Sequence, residues 1–293
     1  MKAYLFPGQG SQFSGMGKEL YDINEGKLLF KKANKILGFE ISEIMFYGSK
    51  EDLKKTNVTQ PAIFIHSVIL SKLLKESFNP NMVAGHSLGE FSALTAIECI
   101  SFEEGLKLVN IRSKAMQKAC NLCSGSMAAI LGLEEKIVEE VCLNTDGIVV
   151  PANYNCPNQL VISGETNAVE TACNALKNRG AKRALILPVG GAFHSPLMSP
   201  AKKELEKAIG LINVNTPKCS IYQNASSLPT KNPMVIKENL ISQLTAPVKW
   251  TSIINNMIKS GASNFNEIGP GNVLQGLNKK IDSKYETYSQ SII

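Results

Sequence analysis

Arginine, histidine and long apolar runs are what this chain has little of. Only Arg112, Arg179 and Arg183 among its 31 basic residues are arginines, and its histidines number three, His66, His86 and His194. No apolar run reaches the roughly 18 residues of a bilayer-spanning helix. The opening stretch, Met1 to Pro7, is broken by proline too early for a secretory signal, so a cytoplasmic protein is expected. The seven cysteines are odd in number and hold a single CxxC, Cys120 to Cys123, with no second pair and no histidine nearby. That argues against a disulfide framework and a zinc site; reduced thiols and no metal are expected. The net charge of +6 comes from scattered lysines, with no dense basic tract and no interleaved aromatics. Nucleic-acid binding is therefore not indicated, although a small acidic partner would be steered in. Long-period repeats and low-complexity tracts are absent as well.

What is present is a chain of 293 residues, 44% hydrophobic and 19% charged, enough for one large domain or a large domain with an insert. Its organising stretch is Met82-Val83-Ala84 followed by Gly85-His86-Ser87-Leu88-Gly89-Glu90. An apolar strand, a sharp turn and a helix-like segment to about Cys99 make the pattern of a nucleophile elbow with Ser87 at the tip. Gly85 and Gly89 leave room for the strained turn. The following helix points its N–H groups and positive dipole end at the serine, where an oxyanion would develop. Acyl transfer is the chemistry this arrangement suits.

Residues 3 to 6 read as a strand that runs into Pro7-Gly8-Gln9-Gly10-Ser11-Gln12, a loop able to reach a ligand. It lacks both GxGxxG and a GKS/T ending, so no nucleotide site is read there. A buried helix is expected over Ala62 to Leu74, after Gln60-Pro61, with His66 as a packed core residue. Ser101-Phe102-Glu103-Glu104 is a capping box, and it opens a helix through about Ala119. On that helix Phe102, Gly105, Val109, Arg112 and Met116 share one face. A guanidinium on such a stripe must find an acceptor: either a structural salt bridge or the carboxylate of a substrate, gripped by two parallel hydrogen bonds.

From Ser126 the elements read β, α, β, β, α, β through Pro188, a self-contained ferredoxin-like unit of about 65 residues. Residues 125–190 are therefore assigned to a small subdomain, and residues 1–124 and 191–293 to the large catalytic domain. Gly190-Gly191-Ala192-Phe193-His194-Ser195-Pro196 returns the chain to the large domain.

A serine hydroxyl needs a base, and histidine is the usual one because its pKa lies near working pH. His66 belongs to the core and His86 sits beside the serine on a turn where consecutive side chains diverge, which leaves His194. The only aspartate between Ser87 and His194 is Asp146, inside the insert. The group that orients the imidazole is then a backbone carbonyl or an amide, with Gln243 a candidate. Two rivals stay open at this level: a serine esterase or thioesterase of the α/β type, and a non-catalytic scaffold that docks a carrier protein.

The set GQGSQ (8–12), QPA (60–62), GHSLGE (85–90), VNIRSKAMQ (109–117), GSMAAILG (125–132), NYNCPNQLVISG (153–164), GAFHSPLM (191–198), QLTAPVKW (243–250) and EIGPGNVLQGL (267–277) resembles, in order and over nearly the whole chain, the malonyl-CoA:acyl carrier protein transacylases of fatty-acid biosynthesis. The resemblance implies an α/β fold with a hydrolase-like parallel-sheet core and an inserted ferredoxin-like subdomain. It implies malonyl transfer from malonyl-CoA to the phosphopantetheine thiol of acyl carrier protein by a ping-pong route. Ser87 would be the nucleophile, His194 the base, and the N–H groups of Gln9 and Leu88 the oxyanion hole. Arg112 would take the malonyl carboxylate, Met116, Asn153 and Phe193 would line the pocket, and the main-chain carbonyl around Gln243 would hold the imidazole. No cofactor beyond the substrates is implied, and a monomer is expected. Phe193 matches malonyl-specific members, whereas Asn272 stands where many members carry lysine. Lys182, Lys202, Lys203 and Lys279 are candidates to receive an acidic carrier helix.

Overall fold

Strands whose residues are apolar on both faces can be satisfied only between layers of helices, and this decides the larger layer of the fold. In the computed structural model, which describes residues 1–292, β1 (Lys2–Phe6) and β2 (Met82–Gly85) are buried along almost their whole length. With β7 (Ser220–Tyr222), β8 (Pro229–Thr230), β9 (Asn264–Glu267) and β10 (Thr287–Ser289) they form one sheet in the order β10-β9-β1-β2-β7-β8. Every pairing is parallel except that of the two-residue edge strand β8. The carboxyl ends of β1, β2 and β9 therefore meet at one rim, where ligand sites of open α/β sheets lie.

The second sheet takes β3 (Gly125–Leu131), β4 (Val149–Cys156), β5 (Gln159–Glu165) and β6 (Arg183–Ile186) in the order β4-β5-β3-β6, all antiparallel. Helices Glu135–Leu143 and Thr166–Asn178 pack on it around Ile130, Val138, Leu160, Ile162 and Val169. This is the ferredoxin-like βαββαβ arrangement expected from the sequence. It is tied to the first layer through β4: Tyr154 N–H donates to the Val248 carbonyl at 2.9 Å, and Val248 N–H to the Ala152 carbonyl at 2.8 Å.

Two stretches differ from the sequence reading. The buried helix begins at Thr56, not after Pro61, and runs to Leu73 with Pro61 inside it. Proline removes one helical hydrogen bond, but the burial of Val58, Ile63, Phe64, Ile65, Val68 and Ile69 offsets that loss. After Gly271 a helix forms over Val273–Ile281, a stretch to which the sequence reading assigns no element.

Candidate active site

The elbow is as tight as its two glycines imply. A Cβ on residue 85 would lie 1.9 Å from the Gly89 carbonyl carbon, and one on residue 89 would lie 2.0 Å from the Phe6 carbonyl oxygen. No side chain is tolerated at either place. Between them Ser87 adopts φ 51°, the left-handed region that a non-glycine residue enters only when its surroundings hold it there. Helix Gly89–Ala96 starts at once. Among the described residues no internal hydrogen bond takes up the N–H of Gln9 or Leu88, and both residues line the cavity in front of Ser87. Two free donors, Leu88 at the start of the helix and Gln9 in the loop after β1, can receive a developing oxyanion.

His194, on the loop that leaves the second sheet, places Nε2 2.8 Å from Ser87 Oγ. Its Nδ1 faces two main-chain carbonyls, Gln243 at 2.9 Å and Ala246 at 3.1 Å. Carbonyls only accept, so the proton sits on Nδ1 and the lone pair of Nε2 points at the serine. The orienting group is thus a backbone carbonyl, one of the two options left by the lack of an aspartate. Burial, and after it the charge of Arg112, push the imidazole down to about 3 against the pull of the Gln243 carbonyl. The ring is neutral at working pH, as a base must be, but well below the value for which histidine was chosen on sequence grounds. Neither of the other two histidines bonds to Ser87 Oγ, although His86 lines the same cavity. His86 Nε2 pairs with Asn155 Oδ1 at 2.9 Å, and His66, buried in its helix, lies 3.5 Å from Glu19 Oε1.

Arg112 is 1% exposed, and its helix buries Phe102, Gly105, Val109 and Met116 on the same face, as the spacing predicts. Its Nη1 donates to Gln60 Oε1 at 2.7 Å; its Nη2 donates to Gln243 Oε1 and to Ser87 Oγ, each at 3.1 Å. Its Nε is buried with no partner, and none of the ion pairs among the described residues includes it. Burial lowers the guanidinium to about 10, with the charge of Glu90 opposing, so it stays cationic. A buried cation whose acceptors are neutral amides and a hydroxyl is a strong site for an incoming carboxylate. The structural salt bridge weighed for Arg112 is not formed. Gln60, which aims the fork, was visible in the sequence only as part of a motif; it is 1% exposed and its Nε2 donates to Met116 Sδ at 3.4 Å.

These groups share a cavity of about 220 Å³ between loops and helices at the rim of the first sheet and strands of the second, with Met116, Asn153 and Phe193 in its lining. Asn153 Oδ1 is buried there without a partner. Gln243 does not line the cavity; its side chain reaches in behind Arg112 and donates from Nε2 to the Ser87 carbonyl at 3.0 Å. Among the described residues no group of three or more His, Cys, Asp or Glu side chains is placed to hold a metal ion, and no helix is long and apolar enough to cross a membrane.

Residues 3–293 match the family described as acyl transferase domain. The malonyl CoA-acyl carrier protein transacylase of Bacillus subtilis strain 168 is 42% identical over 294 residues, covering 99% of this chain and 93% of that protein. The crystal structure of an acyl carrier protein S-malonyltransferase from Vibrio cholerae superposes with a TM-score of 0.96 at 38% identity, over 100% of this chain and 97% of the other. A type II polyketide acyl-carrier protein has been solved in complex with its malonyl-transacylase, which matches at a TM-score of 0.93 and 36% identity over 98% of this chain and 94% of that one. A nucleophile elbow, a histidine held by carbonyls and a buried guanidinium with no carboxylate partner thus stand in a chain that belongs to the malonyl-CoA:acyl carrier protein transacylase family of acyl transferases.

Proposed function

We propose that the chain moves a malonyl group from malonyl-CoA to the phosphopantetheine thiol of acyl carrier protein, for fatty-acid biosynthesis, through a malonyl ester on Ser87. His194 Nε2 takes the Ser87 proton as Oγ bonds to the thioester carbonyl carbon. The carbonyl oxygen, now negative, is received by the N–H groups of Gln9 and Leu88. The C–S bond breaks and the leaving thiolate takes the proton from His194. In the second half the carrier thiol gives its proton to His194, the sulfur attacks the ester, and Ser87 Oγ leaves with that proton. Met116, Asn153 and Phe193 bound the acyl pocket, and the Gln243 carbonyl keeps the imidazole in the productive tautomer.

The observation that carries this reading is the position of Arg112 Nη2, 3.1 Å from the nucleophilic oxygen and without a carboxylate of its own. An esterase acting on neutral acyl groups has no use for a cation there, and a docking scaffold has no use for the Ser87–His194 pair. Intact mass after mixing with malonyl-CoA tests it. A malonyl adduct is expected on the parent chain, absent in Ser87→Ala, and discharged by holo acyl carrier protein. A parent chain that takes up no adduct ends the proposal.

A further inference from the structure

The strained backbone of Ser87 is gripped on both sides by side-chain amides. Its N–H donates to Asn224 Oδ1 at 2.7 Å, and Asn224 Nδ2 donates to the Gly85 carbonyl at 2.6 Å. One amide side chain thereby clamps the chain before and after His86. Asn224 is fully buried, two residues beyond β7, which the register of Ala84 with Tyr222 sets beside β2. It is seated by Glu90, the second residue of the elbow helix. Glu90 Oε2 accepts from the Asn224 N–H at 2.8 Å, and Oε1 accepts from Gln223 Nε2 at 2.9 Å. Glu90 is 1% exposed, and burial holds its carboxyl above the usual range. Neither side chain lines the cavity, yet the Asn224 amide bonds to the elbow at two points and the Glu90 carboxylate ties residues 223 and 224 to the elbow helix by two more bonds.

We infer that Asn224, seated by Glu90, is a positioning residue for acyl transfer; this rests on the function proposed above. A left-handed φ at a serine is uphill and persists only where neighbours fix it. The peptide from His86 to Ser87 is fixed by Asn224, and two consequences follow. Ser87 Oγ stays in line with His194 Nε2, and the Ser87 N–H is committed to Asn224, leaving the N–H of Leu88 for the oxyanion. Release of that peptide would misalign both at once, although neither Glu90 nor Asn224 touches the substrate.

The test compares the parent chain with Asn224→Ala and Asn224→Asp. Two reagents are used, malonyl-CoA and an alkyl fluorophosphonate, whose phosphorus Ser87 Oγ attacks with loss of fluoride and which needs no Arg112. Asn224→Ala is expected to slow malonylation at saturating malonyl-CoA on the order of a hundredfold. Half-saturation should stay within about twofold, because the grip of Arg112 is intact, and fluorophosphonate labelling should slow in parallel. In Asn224→Asp a protonated carboxyl accepts from the Ser87 N–H and donates to the Gly85 carbonyl, whereas an ionised one only accepts. Facing that carbonyl, beside Glu90, it ionises late. Its labelling rate should approach the parent's at acid pH and fall as pH rises, a limb the parent lacks. Support for the fold alone would lower thermal stability without that limb. A folded Asn224→Ala that labels at the parent rate, or an Asn224→Asp whose rate relative to the parent is flat with pH, overturns the inference; the second measurement decides if the alanine variant does not fold. Should the parent react with the fluorophosphonate and refuse malonyl-CoA, the malonyl reading fails while the role of Asn224 is still judged by labelling.

Discussion

Arg112 Nη2 donates to Ser87 Oγ at 3.1 Å, so the proposed carboxylate grip and the nucleophile are separated by no more than the span of one short dicarboxylic acyl group. Arg112→Ala is expected to lower malonyl transfer by roughly a hundred- to a thousandfold, the loss of a buried charge-assisted pair. Acetyl transfer should survive or rise. Arg112→Lys should recover little, since an ammonium cannot reproduce the fork held by Gln60 and Gln243. Rates with the two acyl-CoA substrates check this, and an equal fall in both would make Arg112 a packing residue.

The pH dependence of acylation follows from the same pair. A base works when unprotonated, so an imidazole lowered to about 3 keeps the parent chain active well below the ordinary histidine value. Burial is the larger cause and Arg112 the second, so removing the cation should move the acid limb up without restoring it to 6.5. A carboxylate bound at Arg112 cancels the same charge, and a malonyl substrate thereby makes its own base more basic. Linkage gives stability the same sign: the unfolded histidine gains its proton below about 6.5 and the folded one only near 3, so His194 costs stability as pH falls through that window. Rapid-mixing acetylation rates across pH, parent against Arg112→Ala, are the measurement. An acid limb of the parent at the ordinary histidine value would contradict it.

The elbow was legible in the sequence because strand, turn and helix follow one another directly and Gly85 is demanded by the backbone of Gly89 and Glu90, although the demand for Gly89 comes from the distant Phe6 carbonyl. The second sheet was legible because the hydrophobic period alternates between strand and helix from Gly125 to Ile186. His194 was legible by elimination among three histidines. What binds Arg112 was not, since Gln60 and Gln243 lie 52 and 131 positions from it in the chain and glutamines carry no periodic signal. Asn224 escaped for the same reason, its partners Ser87 and Gly85 being 137 and 139 positions away. The helix start at Thr56 was hidden by Pro61, whose local preference against a helix interior is outweighed only by burial that the fold supplies.

The glycines offer a test in which neighbours in space decide between opposite outcomes of one substitution. Gly85→Ala drives a methyl to 1.9 Å from the Gly89 carbonyl carbon, and Gly89→Ala drives one to 2.0 Å from the Phe6 carbonyl oxygen. Backbone cannot yield there without opening the contact of β2, for Gly85, or of β1, for Gly89, with the elbow helix, so a loss of more than about 4 kcal/mol, or no folded protein, is expected of each. At Gly276, within helix Val273–Ile281, an added methyl meets nothing within 4 Å. Alanine there reduces the freedom of the unfolded chain and suits the helix, for a gain of roughly 0.5–1 kcal/mol. Thermal unfolding should place Gly276→Ala one to a few degrees above the parent, on the order of 2 °C per kcal/mol for a chain of this size. If Gly85→Ala melted with the parent, the close approach of strand and helix on which the nucleophile's geometry depends would be refuted.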